Sequence, residues 1–168
     1  MATGERGIQR VYLTWQDVEE LIERLLRQFP VAADYHALLA ITRGGIVPSG
    51  LLAEALDVRH VLTASVQFYI GEGESIDWPV FLQFPSDSLL IRQRLLVVDD
   101  VWDTGKTIMA VRERIEHAGG TPHLAVLHYK PARSLFPDVR PDYYAAVTDD
   151  WIVYPWEPEG RLSPLPAL

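Results

Sequence analysis

The segment from residue 95 to residue 107 limits the possible folds of this chain more than any other. Four apolar residues, 95–98, precede two carboxylates, Asp99 and Asp100, and a small-residue turn, Thr104-Gly105, that opens a predicted helix. An apolar run of this length without polar alternation is typical of a strand buried on both faces of a parallel sheet. The segment therefore predicts a strand, a turn and a helix in one α/β unit.

The rest of the chain repeats this order of elements. We predict an N-terminal helix that Thr14 and Asp17 cap and that ends before Pro30. Further helices are predicted over 47–56 and 106–117, and strands over 37–41, 60–69, 124–127 and 143–147. This alternation predicts a single α/β domain over residues 1–168, with a doubly wound, mainly parallel sheet flanked by helices.

One segment, residues 71–94, fits neither periodicity. It begins with an acidic, glycine-containing run at 71–75 and contains Pro79 and Pro85. A stretch of more than about 20 residues of this kind inside a compact domain is usually functional, disordered or a small subdomain. We predict that it forms a flexible lid or an antiparallel flap.

Composition narrows the function classes. The chain has no cysteine, which excludes a disulfide framework, thiolate-bound zinc and a thiol nucleophile. Its net charge of −8 argues against nucleic-acid and anionic-membrane partners. With no long apolar run and no signal core, we expect a soluble, cytoplasmic protein.

The turn after the 95–98 strand has the chemistry of a phosphate site. A small-residue turn that opens a helix presents backbone N–H groups and the positive end of the helix dipole. Thr104 and Thr107 add hydroxyl donors, and the adjacent acids Asp99 and Asp100 are suited to the vicinal hydroxyls of a ribose. The ordinary structural alternative is a capped loop with two solvated acids.

Residues 95–107 closely resemble the phosphoribosyl-pyrophosphate (PRPP) motif of the type I phosphoribosyltransferase family. In that motif two apolar pairs precede two acids and an Asp/Ser-Thr-Gly-x-Thr turn. The resemblance implies a PRPP site with its 5′-phosphate on the turn. The implied binding residues are Asp99, Asp100, Asp103, Thr104, Gly105, Lys106 and Thr107.

A second loop agrees with this resemblance. Thr42-Arg43-Gly44-Gly45 follows the predicted strand 37–41 and precedes a helix. In the family this position holds the pyrophosphate loop, which implies pyrophosphate binding by Arg43, Gly44 and Gly45. The resemblance also implies a non-trans peptide bond entering Gly44. Taken alone, the sequence is equally compatible with an ordinary glycine turn.

The C-terminal third resembles the 6-oxopurine branch of the family. That resemblance implies a base-binding hood over residues 148–168, in which Lys130 donates to the purine, Trp151 stacks on it and the Ile152 carbonyl meets the 2-position. Trp151 is otherwise a core residue and Lys130 a solvated strand end. Asp103 is implied as the general acid or base, the alternative being that it caps the helix.

Together, the resemblance implies a Mg²⁺-dependent purine phosphoribosyltransferase that converts PRPP and guanine, hypoxanthine or xanthine to a nucleotide and pyrophosphate. It implies Asp99 and Glu157 as metal ligands, and we expect a homo-oligomer, a dimer or tetramer. A different function, non-catalytic sensing of PRPP or a nucleotide, is favoured by the lack of Lys and Arg between Arg59 and Arg92. It is disfavoured by the acidic charge. A pyrimidine or other base is a third possibility, which Asp103, Lys130 and Trp151 argue against.

Overall fold

A computed structural model describes residues 8–31, 33–70 and 77–158 of the chain. Within these ranges a six-stranded sheet has helices on both faces, as predicted for an α/β fold. The strands are β1 (Arg10–Tyr12), β2 (Ala37–Ile41), β3 (Val61–Ile70), β4 (Asp77–Gln83), β5 (Arg94–Trp102), β6 (Thr121–Tyr129), β7 (Tyr143–Val147) and β8 (Trp151–Val153). The helices are α1 (Trp15–Leu26), α2 (Ile46–Ala55) and α3 (Lys106–His117), with a short 3₁₀ helix at Asp87–Leu89.

The order of the main sheet is β4-β3-β2-β5-β6-β7. All neighbouring pairs are parallel except β3 and β4. The central strand β5 is buried on both sides: Leu95 and Val97 pack with α3, whereas Leu96 and Val98 pack with α1 and α2. This two-sided burial explains why the 95–98 run is apolar without alternation.

Helix α1 begins as its sequence predicts. Asp17 N–H donates to the Thr14 hydroxyl at 3.2 Å, and Thr14 N–H donates to the Asp17 carboxylate at 2.7 Å. This reciprocal pair is a complete capping box. The inner face of α1, which includes Val18 and Leu25, is fully buried against the sheet.

The predicted lid segment is built from several parts. Residues 77–83 form β4, which pairs antiparallel with β3 at the edge of the sheet. Leu90 is completely buried in the core, so the segment is partly fixed structure. The acidic run 71–75 lies outside the described residues, and its role as a lid stays a prediction.

A second, two-stranded sheet lies beside the main one. In it β8 pairs in parallel with β1, with Val11 opposite Ile152. The predicted C-terminal hood segment therefore includes a strand that is held by the N-terminal residues, a pairing that was not predicted. None of the helices in the described part of the chain combines the length and apolar character that a membrane-spanning helix needs.

The strand β5 is longer than predicted. It continues through Asp99 and Asp100 to Trp102, because it stays paired with β6 up to Tyr129. Both acids therefore lie within the strand instead of after it. The loops that follow β2, β5 and β6 all leave the carboxyl edge of the sheet, where open α/β folds bind ligands.

Candidate active site

The turn between β5 and α3 is shaped by one glycine. Gly105 has a φ of 83°, and a Cβ at this position would lie 2.5 Å from the indole nitrogen of the buried Trp102. Gly105, the N-cap residue of α3, has no side chain to cap the helix, and the first N–H group of the helix, that of Lys106, donates a long hydrogen bond of 3.4 Å to the Thr104 hydroxyl. The turn lines a cavity of about 90 Å³ together with Asp99 and Thr107. The geometry fits a small anion such as a phosphate group.

Asp103 forms an ion pair with a residue that the sequence analysis did not identify. The guanidinium of Arg133 binds both of its carboxylate oxygens, through Nε to Oδ1 and through Nη2 to Oδ2 at 3.1 Å. The carboxylate raises the pKa of Arg133 through this hydrogen bonding. The alternative that Asp103 caps α3 is wrong, because Gly105 is the N-cap and Asp103 is held by Arg133.

The turn after β6 is joined to the turn between β5 and α3 by three hydrogen bonds. Lys130 N–H donates to the Trp102 carbonyl at 3.0 Å, and Leu135 N–H donates to the Thr104 carbonyl at 3.0 Å. The Trp102 indole N–H also donates to the Ser134 hydroxyl at 3.1 Å. The two loops therefore form one hydrogen-bonded unit.

Lys130 and Trp151, far apart in sequence, lie together. Only 6% of the surface of Lys130 is exposed, whereas 53% of Trp151 is exposed. The Lys130 Nζ lies 5.9 Å from the centroid of the Trp151 ring, a cation–π distance. Lys130 is therefore no solvated strand end and Trp151 no core residue. The arrangement offers an aromatic face beside a buried hydrogen-bond donor.

The backbone of Ile152 faces away from β1. Its neighbours in β8 make the bonds to the N-terminal segment: Trp151 N–H donates to Gln9 at 2.8 Å, and the Val153 carbonyl accepts from Leu13 at 2.9 Å. Because alternate residues of a strand direct their N–H and C=O groups to opposite edges, the Ile152 carbonyl points to the other edge of β8.

The two acids of β5 lie in a low-dielectric position. Asp100 N–H donates to the Asp99 carboxylate at 2.9 Å. Burial, followed by repulsion from Asp100, raises the pKa of Asp99 well above its ordinary value. Burial also raises the pKa of Asp100 to about 6, and the carboxylate of Glu157 acts in the same direction. No Lys or Arg among the described residues forms an ion pair with either acid.

The loop after β2 lies against these acids. A Cβ on Gly44 would overlap the carboxylate of Asp100, and one on Gly45 would overlap the Val98 carbonyl. Only glycines allow this close approach of the loop to β5. The predicted position of the non-trans bond was wrong by one residue: the cis peptide bond joins Thr42 to Arg43. Thr42 N–H still donates to the Ala64 carbonyl of β3 at 2.8 Å, so strand pairing continues up to this bond.

A cavity of about 310 Å³ joins this loop to the C-terminal segment. Arg43, Gly44, Asp100, Trp156, Glu157 and Pro158 line it. Tyr154 N–H donates to Oε2 of Glu157 at 2.7 Å, which fixes that carboxylate near Asp100. The cavity thus has one cationic side chain and two carboxylates around an opening at the carboxyl edge of the sheet.

Comparison with known proteins agrees with this geometry. A protein-family model described as "Phosphoribosyl transferase domain" matches residues 8–160, nearly the whole chain. The chain belongs to the phosphoribosyltransferase family. The family predicted from the 95–107 motif is confirmed, and with it the enzyme class.

Individual relatives cover most of this phosphoribosyltransferase. The xanthine-guanine phosphoribosyltransferase of Nitratidesulfovibrio vulgaris is 30% identical over 164 residues, 95% of this chain and 91% of the relative. That of Roseobacter denitrificans is 33% identical over 154 residues, 87% of this chain and 84% of the relative. The crystal structure of a purine phosphoribosyltransferase from Pyrococcus horikoshii superposes with a TM-score of 0.72 at 32% identity, covering 95% of this chain and 97% of that one.

Proposed function

We propose that this phosphoribosyltransferase transfers the 5-phosphoribosyl group of PRPP to a 6-oxopurine, with release of pyrophosphate. The observation that carries the proposal is the placement of buried Lys130 beside the exposed ring of Trp151, on a loop that is hydrogen-bonded to the phosphate turn. The names of the relatives, which are purine and xanthine-guanine phosphoribosyltransferases, support a purine as the acceptor.

PRPP would bind across the loops that follow β2 and β5. The backbone N–H groups of the turn at Thr104–Thr107 would hold its 5′-phosphate, assisted by the helix dipole of α3. Asp99 and Asp100 would accept hydrogen bonds from the ribose hydroxyls. Arg43, across the cavity from Asp100, would stabilise the negative charge that develops on the departing pyrophosphate.

The base would stack on the Trp151 ring, whose face is available to solvent. Lys130 can only donate hydrogen bonds, so it favours a 6-oxo acceptor over the 6-amino group of adenine. The Ile152 carbonyl, which points away from β1, would accept from a group at the 2-position. Guanine, hypoxanthine and xanthine all carry the 6-oxo group.

Asp103 would exchange a proton with the imidazole portion of the purine. Arg133 holds both oxygens of Asp103 and orients the plane of the carboxylate. Each carboxylate oxygen has a second lone pair, so the pair with Arg133 leaves Asp103 able to accept a further hydrogen bond.

The residues present fit Mg²⁺. Asp99 and Asp100 are adjacent carboxylates whose pKa values burial raises, so a hard divalent cation would stabilise their ionised forms. Asp99 and Glu157 would contact the ion directly. No group of three or more His, Cys, Asp or Glu side chains in the described part of the chain is placed to hold a metal. The ion would therefore share its coordination with PRPP, where it would neutralise charge on the leaving pyrophosphate.

The proposal is tested by supplying PRPP, Mg²⁺ and a 6-oxopurine to the purified protein and quantifying nucleotide and pyrophosphate. We expect both products in equal amounts, and we expect Asp103→Asn to lower kcat by about 10²–10⁴-fold, the usual contribution of general acid–base catalysis. If Asp103→Asn has the wild-type kcat, the catalytic role of this residue is wrong.

A non-catalytic sensor would bind PRPP or a nucleotide without forming product. The same experiment separates it from an enzyme when ligand binding is measured in parallel by the shift in melting temperature. A ligand at 100 times its Kd adds about 2.7 kcal/mol to stability. Binding with no nucleotide formed from any base would favour the sensor.

A further inference from the structure

Three polar groups, on β5, on β6 and directly after β8, form a continuous hydrogen-bond chain. The Tyr154 hydroxyl donates to the backbone carbonyl of Asp100 at 2.9 Å, and its oxygen lies 2.8 Å from Nδ1 of His128. Tyr154 exposes 1% of its surface and His128 exposes 5%. Water therefore cannot readily replace either side chain as a hydrogen-bond partner.

The direction of every bond in this chain is determined by chemistry. A backbone carbonyl can only accept, so the single hydroxyl proton of Tyr154 is used on Asp100. Nδ1 of His128 must then carry a proton and donate it to the tyrosine oxygen. Burial, with a further contribution from Lys130, lowers the pKa of His128 to about 4, so the ring is neutral at physiological pH.

Tyr154 also joins the two substrate regions. It follows β8 directly, two residues after Ile152, and its ring stacks on Trp156 with a centroid distance of 4.6 Å and an interplanar angle of 8°. Its N–H donates to Glu157. It is therefore fixed on the base-binding segment while its hydroxyl reaches the strand that carries Asp100.

Asp100 has little freedom to find another position. Its side chain lies so close to Gly44 that a Cβ there would overlap the carboxylate, and its N–H is bound by Asp99. Its carbonyl is bound by Tyr154. A shift of the Asp100 backbone would therefore change the positions of the two carboxylates proposed to bind the ribose and of the proposed pyrophosphate loop together.

We propose that Tyr154 is a positioning residue that holds Asp100 for PRPP and couples the base-binding segment to the ribose carboxylates. This rests on the proposed function, in which Asp100 contacts PRPP. Without the hydroxyl, the Asp100 carbonyl would lose this hydrogen bond and the Nδ1–H of His128 would be buried without its partner. The β5 backbone would then shift to regain a partner, and the carboxylate of Asp100 would move with it.

The test is Tyr154→Phe, measured by steady-state kinetics with PRPP and the base varied separately. We expect the KM for PRPP to rise about tenfold, the equilibrium equivalent of one buried hydrogen bond, and the KM for the base to change less. The matched control is Tyr35→Phe, because the hydroxyl of buried Tyr35 bonds that of Tyr143 at 3.1 Å, away from the site. The control should leave both KM values unchanged.

A double-mutant cycle with Asp100→Asn identifies the route of the effect. If Tyr154 acts through Asp100, adding Tyr154→Phe to Asp100→Asn should raise the KM for PRPP by less than about twofold. The same fold-change in both backgrounds would overturn the proposal. An unchanged KM for PRPP in Tyr154→Phe alone would also overturn it.

A second pair of variants keeps the test open if Tyr154→Phe does not fold. His128→Leu removes the Nδ1 donor and should raise the KM for PRPP, whereas His128→Asn, which keeps an N–H donor, should raise it less. Equal KM values for PRPP in the two variants would contradict the role of the hydrogen-bond chain from His128 through Tyr154 to Asp100. If the wild type forms no nucleotide, the proposed function fails by itself, and the shift in melting temperature caused by PRPP with Mg²⁺ still tests Tyr154.

Discussion

Replacing Asp100 by asparagine should stabilise the protein without ligand at neutral pH. Burial raises the pKa of Asp100 from 3.8 to about 6 in the folded state, so the folded state binds the proton more tightly than the unfolded state. Stability from such a group is fully present below the unfolded pKa and is lost as pH rises through the folded pKa. The ionised carboxylate therefore destabilises the folded protein above about pH 6.

The size of the effect follows from the same rise in pKa. Its free-energy equivalent is about 3 kcal/mol. Asparagine removes that penalty but accepts the Val101 N–H, which bonds the carboxylate, less strongly. We expect Asp100→Asn to raise the free energy of unfolding by about 2 kcal/mol at pH 8 and to lose this advantage as the pH falls from 6 to 4.

The measurement is urea unfolding of the wild type and the variant between pH 4 and pH 8, without Mg²⁺ or PRPP. Asp17→Asn is the matched control of opposite sign, because hydrogen bonds from Thr14 lower the pKa of Asp17. That variant should be less stable than the wild type throughout this pH range, because the stabilising ionised form of Asp17 is lost only below about pH 4. If Asp100→Asn is less stable than the wild type at pH 8, the assignment of a costly buried charge to Asp100 is wrong.

Two further changes test the loops. Gly44→Ala should raise the KM for PRPP at least about tenfold, because its methyl group would displace the neighbouring carboxylate. The control is Gly50→Ala in α2, where an added Cβ would meet nothing within 4 Å. This variant should instead add about 0.5–1 kcal/mol of stability with unchanged kcat. Equal KM values for PRPP in the two variants would refute the close approach of the loop. Arg133→Met should lower kcat about tenfold by releasing Asp103, whereas Arg112→Met, which breaks another exposed ion pair, should not; Arg133→Lys should restore part of the loss. An unchanged kcat in Arg133→Met would mean that the ion pair does not position the carboxylate.

The sequence predicted the parts of the fold that local patterns determine. The apolar runs at 37–41 and 95–98 were recognised because strands buried on both faces have no polar alternation. The capping box at Thr14 was recognised because its partners are three residues apart. The turn between β5 and α3 was predicted because Gly105 and the helix that follows it are adjacent in sequence.

Contacts between distant residues were not predictable from such patterns. Arg133 is 30 residues from Asp103, and Tyr154 is 54 residues from Asp100. Strand β1 has only three residues and pairs with β8 at the other end of the chain. Pro79 suggested a break, but it lies in β4, an edge strand that has a neighbour on one side only and so tolerates a missing N–H.

We propose that the pocket formed by Lys130 and Trp151 directs phosphoribosyl transfer to a 6-oxopurine. The most direct measurement supplies limiting PRPP and Mg²⁺ with equimolar hypoxanthine and adenine, and separates the two nucleotide products by chromatography. We predict that the hypoxanthine nucleotide exceeds the adenine nucleotide by at least about 100-fold, because adenine would leave the buried Lys130 donor without an acceptor. We also predict one pyrophosphate per nucleotide. An excess of the adenine nucleotide, or pyrophosphate released without either nucleotide, would contradict the account.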